Sequence, residues 1–381
     1  MLLGWENMTV SSAEAEGLVS ESATDDVQYS QSGGLVTRLV QLGCSVAMTS
    51  YESGFLYHLG CEPKGGLHVH QSGMPKPMGL SYEPKAQRLT LATGAEILQF
   101  ENVLKPEERI NNTFDACFVP RRTHLTGALD AHDVGVDEDG RTIFVNTRFN
   151  CLARLSERHS FEPFWRPPFI DGIVDEDRCH LNGLAMQDGR AAFVTAVSRS
   201  NTIDGWRDRR DGGGVVIDVA SGRVVCEGLS MLHSPRWYDG QLWLLNAGTG
   251  ELGYVDDVTA STPGTFVPVA FCPGFLRGLS FHKGHAFVGL SRPRYKRFEG
   301  LALDARLKER DSDAWCGLQI IDLAKGTCVD WFRIDGKIRE LYDVAVIPGF
   351  TTPMAISPGS PEANGLVTWN DSVDTFKDIT D

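Results

Sequence analysis

Several features that would fix a function by pattern alone are missing from this chain. Lys and Arg number 36 against 50 Asp and Glu, the net charge is −14, and no extended basic run occurs. A nucleic-acid backbone needs a basic footprint, so nucleic acid is excluded as the main partner. No run of 18 apolar residues exists, and no membrane-spanning helix is expected. The opening "MLLGWENMTVSSAEAEGLVSESATDD" lacks a basic segment and a sufficient apolar segment, so no secretory signal is expected. The nine cysteines are odd in number and show no CxxC or CxxH spacing. Packing thiols in a reduced, cytoplasmic protein are the expectation. No G-x-S-x-G, P-loop or dinucleotide-binding glycine pattern is found, and "ATGAE" and "NAGTGELG" read as hairpin turns. Long periodic helical patterns are nearly absent, which argues against a helical or doubly wound fold.

What is present is repetition. The words "PMGLSY", "AHDVGV", "LNGLAM", "HSPRWY", "LRGLSF" and "LYDVAV" share one apolar cadence but open on different residues. The openers Met78, His132, Asn182, Ser234, Arg277 and Tyr342 lie 43 to 65 residues apart. Five cadences run into a turn, four of them with Gly or Asp-Gly as in "DEDGR" and "YDGQ", and then a second apolar run. Third and fourth runs follow in most units. Repeats of this length with about four strands each predict propeller blades. The sixth cadence has no hairpin partner after it. Its missing strands match "VAMTSYESGFLYHLG" and "GLHVHQ", so residues 341–347 should pair with residues 46–71 and close the ring. The expectation is an all-β, six-bladed β-propeller over residues 33–355. Residues 1–32 read as a disordered acidic tail and 356–381 as a C-terminal tail. "GLVTRLVQLGC" (34–44) predicts a short amphipathic helix.

In such a ring the openers stand at one mouth of the tunnel, where the insertions 198–214 and 291–315 also fall. Arg277 suits a carboxylate or phosphate, and Arg292 and Arg294 of "SRPRYKRF" extend toward the open face either to help it hold an anion or as solvated loop charges. His132 and His233 can move a proton, Asp133 or Asp343 can orient an imidazole, and Tyr342 completes the catalytic set. Asn182, Ser234 and Asn246 join Arg277 and Arg292 as substrate contacts. The alternative for His132, His180 and His233 is to hold a divalent transition metal as cofactor. His68 and His70 of "HVH" fall on an outermost strand, where packing or surface roles are expected, and "WRDRRD" reads as a solvated lid. The predicted function is an enzyme acting on an anionic, carboxylate-bearing small molecule or modified amino acid. Hydrolysis, elimination, isomerisation and metal-dependent oxidation remain open. The rival reading is a non-catalytic module that binds a peptide or protein through its open face.

The blade grammar is similar to that of gluconolactonase and SMP-30-type propellers. That resemblance implies a divalent cation held by an acidic residue, an asparagine and an aspartate at blade starts. Asn182 of "LNGLAM" matches the asparagine position, while His132, Ser234 and Arg277 replace the expected carboxylate-rich set. Over residues 34–355 the chain more closely resembles a bacterial family of conserved hypothetical propellers. The shared motifs are "PMGL", "HLNGLA", "HSPRWY", "LWLLNAGTGELG", "PGFLRGLSF", "FVGLSRPR" and "ELYDVAVIPG". That likeness implies the propeller fold and carries no activity with it.

Overall fold

The computed structural model describes residues 27–293 and 300–369. They form six β-sheets arranged as the blades of a propeller. The inner strands are Leu80–Glu83, Ala131–Val136, Leu181–Gln187, Leu232–Tyr238, Phe275–His282 and Asp343–Pro348, for blades 1 to 6. All six openers stand at or just before these strands. Blade 6 draws its other strands, Cys44–Ser50, Phe55–Cys61 and Leu67–Gly73, from the beginning of the chain. Asp343–Pro348 pairs antiparallel with Cys44–Ser50, so closure removes the open edge that an incomplete ring would leave.

Two blades carry a fifth strand. Gln28–Gln31, assigned by sequence to the disordered tail, pairs with Phe332–Asp335 on the outer edge of blade 5. The edge supplies unpaired backbone groups, and Ser32 and Arg38 add bonds to the buried Asp330 carboxylate at 2.8 and 3.0 Å. Residues 1–26, the rest of that tail, lie outside the described residues. Pro353–Ala355 runs parallel to Ala116–Phe118 on blade 1, and a short helix, Pro361–Gly365, follows within the segment read as a tail. The expected helix is Leu35–Leu42. It buries Leu35, Leu39 and Leu42 and ends at Gly43, whose φ of 63° is easy only for glycine. Among the described residues, no helix is long and apolar enough to cross a membrane.

The blades are stapled to one another near the axis. Asp133 accepts from Leu184 N (2.9 Å), the Asn182 amide donates to Leu232 O (2.9 Å), and Ser234 Oγ accepts from Gly278 N (3.0 Å). Asp343 accepts from Leu80 N (2.8 Å), which joins blade 6 to blade 1. The cadence glycine serves the same contact. A Cβ on Gly183 would lie 2.3 Å from Pro235 Cδ, so the inner strands approach this closely only where no side chain intervenes.

Candidate active site

The segments that enter the inner strands and those joining second to third strands converge on one face, where they enclose a cavity of about 650 Å³. Its lining holds five basic residues, Lys76, Arg207, Arg210, Arg277 and Arg292, against the acids Asp130, Asp177 and Glu340. Each acid is already engaged. Asp130 meets Lys76 Nζ at 3.5 Å, and Asp177 meets His180 Nδ1 at 2.7 Å. Buried Glu340 accepts from Ser50 Oγ (2.9 Å) and from the backbone N–H groups of Tyr51 and Glu52. On a protein of net charge −14, this mouth is locally cationic.

Arg277 forms no hydrogen bond or ion pair among the described residues. Its guanidinium lies 5.0 Å from the Tyr342 ring and 5.5 Å from the Phe275 ring. Aromatic faces hold a cation in place while leaving its N–H groups for an anion. Tyr342 is buried and its Oη lacks a partner among the described residues; burial pushes the phenol well above its ordinary range. Arg292 also lines the cavity but donates to Gly336 O and Ile338 O, so part of its donor set is committed to the backbone. Arg294 lies outside the described residues.

His132 is held by Asp130 O and Thr147 Oγ1, both 2.8 Å from Nδ1. A carbonyl can only accept, so Nδ1 carries the proton and Nε2 keeps a lone pair with no protein partner among the described residues. Burial pushes His132 down to about 4; Asp130 opposes this, and His180 and Arg277 reinforce it. At neutral pH the ring is uncharged. His180 stands edge-on to it, centroids 4.8 Å apart, and stacks on Trp206 at 4.1 Å. Asp130, His180 and Met231 adopt φ of 53°, 51° and 47°, a left-handed conformation costly for such residues. All three line the cavity, where strain of this kind concentrates.

Beneath the mouth lies a void of about 10 Å³, about the space of one water, lined by residues including His132, His233, Arg277 and Tyr342. His132, Arg277 and Tyr342 also line the mouth cavity, so they form the partition between the two. A charge plug closes the tunnel below. Arg236 reaches Asp133 at 2.7 and 3.3 Å and Asp343 at 3.4 Å, and donates to Leu184 O, Pro235 O and Leu279 O. Burial works against the charge on Arg236, but the two carboxylates outweigh it. One guanidinium cannot satisfy both. Burial and the neighbouring Asp133 push Asp343 up to about 7, against the pull of Arg236.

This geometry revises several expectations. Asp133, placed among the catalytic residues by sequence, is saturated by Arg236, Leu184 N and Val134 N and belongs to the plug. Asn182 and Ser234 are blade staples rather than free substrate contacts, and Asn182 Oδ1 also accepts from Thr195 Oγ1 at 2.6 Å. Asn246 Oδ1 holds Ser230 N at 2.8 Å and does not line the cavity. The three histidines do not assemble as metal ligands. His132 and His180 pack edge to face with their Nδ1 atoms engaged, while His233 packs on Phe275 (5.5 Å) and lines the void beneath. Among the described residues no group of three His, Cys, Asp or Glu side chains is placed to hold a metal. Nor do the residues fit the cation of the lactonase-type propellers: Asn182 is committed, Asp133 and Asp343 bind Arg236, and Arg277 would repel the ion. His68 and His70 pack against Phe114, at 5.3 and 5.4 Å.

Sequence reasoning missed Asp130, Asp177, Trp206 and Glu340 in the wall and Arg236 in the plug. Trp206 is buried, not part of a solvated lid. A lone tryptophan inside the charged stretch "GWRDRRDG" was the available signal.

The architecture and its cationic mouth define a six-bladed propeller with a single-ended tunnel site. Among solved structures the fold is similar to a chain in the nidogen/laminin complex, with TM-score 0.50 and 12% identity, covering 81% of this chain and 99% of that one. Others include a gluconolactonase from Xanthomonas campestris (TM-score 0.43, 12% identity, covering 77% and 86%). The PQQ-bound aldose sugar dehydrogenase of Streptomyces coelicolor gives 0.42 at 12% identity, covering 76% and 91%. A search of curated proteins finds no match. The chain belongs to the family described as Domain of unknown function (DUF4915), whose model matches residues 33–356.

Proposed function

We propose that the protein is an enzyme acting on a small carboxylate-bearing molecule bound in the mouth cavity. The observation that carries this reading is Arg277, a partly buried guanidinium without an ion-pair partner among the described residues, at the base of the mouth cavity. Glu340 acts on it only through space, so a ligand anion would supply the hydrogen bonds that its N–H groups lack. Arg277 anchors the carboxylate, and the Tyr342 hydroxyl donates to an adjacent oxygen. Two imidazoles with their Nδ1 atoms engaged flank the ligand. His180, oriented by the Asp177 carboxylate at 2.7 Å, accepts the proton. His132, neutral at working pH, accepts a hydrogen bond and orients the substrate.

The test is a panel of small carboxylic acids and their amides, incubated with wild type and Arg277→Gln. Thermal shift follows binding and mass spectrometry follows turnover. Shifts or turnover confined to acids and lost in Arg277→Gln support the proposal. Equal responses from wild type and variant, or none to any acid, sink it.

A further inference from the structure

The mouth cavity is mostly polar, and charged or hydrogen-bonding residues come from every blade but the fourth. It also carries one apolar wall. Beside their polar residues, blades 3 to 5 contribute Trp206 and Met231 of one buried hydrophobic cluster, with Phe275 and Leu301 packed against it. The cavity therefore cuts into the edge of that cluster. Met231 is held there in the left-handed region, a conformation that an unbranched residue rarely keeps unless its surroundings impose it. Arg277 stands beside this wall, its guanidinium 5.5 Å from the Phe275 ring. A two-carbon acid would fill little of about 650 Å³, a volume within the range of drug-sized ligand sites.

We propose that the ligand is an amphipathic carboxylate, with its anionic end on Arg277 and a ring-sized apolar body against Trp206, Met231, Phe275 and Leu301. This inference rests on the reading of Arg277 as the anion anchor. Free acetate in the same position would leave the apolar wall wet. A phenyl-sized body desolvates it and should gain about tenfold to a hundredfold in affinity.

Acetate, phenylacetate and neutral phenylacetamide are the probes, titrated by calorimetry into the full chain, the Arg277→Gln variant, and the Met231→Gln and Leu301→Gln variants. The expected result is phenylacetate at least about tenfold tighter than acetate, with phenylacetamide weaker than phenylacetate. Met231→Gln or Leu301→Gln should bring phenylacetate down toward acetate. Leu301 is only partly buried, so its substitution is informative even if Met231→Gln fails to fold. Acetate and phenylacetate binding alike, both lost in Arg277→Gln, would overturn the amphipathic ligand and leave the anion anchor standing. Binding indifferent to Arg277→Gln, or no binding of any probe, would overturn the anchor and this inference with it.

Discussion

His58 offers a sharp test of the physical account because its environment is so one-sided. It lies on the strand Phe55–Cys61 of the closing blade, has no exposed surface, and stacks on Phe118 at 5.9 Å. Neither ring nitrogen has a hydrogen-bond partner among the described residues. Burial, reinforced by His70 and His68, pushes it down from 6.5 to about 3. The folded protein thus keeps His58 neutral, whereas the unfolded chain takes up a proton below about pH 6.5. A depressed histidine of this kind contributes stability present above 6.5 and lost as pH falls toward 3. Between pH 7 and pH 5 the loss from this residue is about 2 kcal/mol, independent of the folded value so long as that stays well below 5. Wild-type stability alone does not isolate the effect. His132 adds a loss of the same sign, while Asp343, raised to about 7, gains stability as pH falls through that value. The difference between wild type and His58→Leu removes both. Urea unfolding at pH 7, 6 and 5 should show the variant gaining about 2 kcal/mol on wild type across that range, at constant m-value. A difference flat with pH would mean that His58 is protonated or hydrogen-bonded in the native state, and the reasoning fails.

The plug and the staples make further claims on stability. Asp133→Ala strips Arg236 of its nearest carboxylate and Leu184 N of its acceptor, and should cost about 3–5 kcal/mol in urea unfolding. A loss below about 1 kcal/mol would show that the pair is not a closing element. Gly183→Ala places a methyl 2.3 Å from Pro235 Cδ and 2.6 Å from Thr195 Oγ1, so blades 3 and 4 must part or shift. A cost of about 1–3 kcal/mol, seen as a lower Tm, is expected, and an unchanged Tm would contradict the close approach described here.

The ring was legible from the chain because its signals are local. A turn with Gly or Asp-Gly between two apolar runs announces a hairpin wherever it occurs, and six returns of one cadence count the blades. Even the closure was readable, since residues 46–71 supply the strands that the sixth cadence lacks. The same locality explains the misreadings. "AHDVGV" puts His132 and Asp133 side by side, but they face different neighbours: His132 turns to Asp130 O and Thr147, and Asp133 to Arg236, 103 residues away. "LNGLAM" and "HSPRWY" look equally polar at their openers, yet Asn182 and Ser234 bond the inner strand of the next blade. Arg236 sits two residues past an opener, where no local pattern marks it, yet it seals the tunnel.

The sequence by itself determined the class of fold, the number of blades, the face that carries the long loops and the presence of Arg277 in the ring. These follow from period, turn chemistry and spacing along the chain. Only the tertiary structure decided which opener points into the mouth, which staples a neighbour and which joins the plug. That choice depends on side-chain direction and on lateral partners commonly about fifty residues away or more, and no local pattern encodes it.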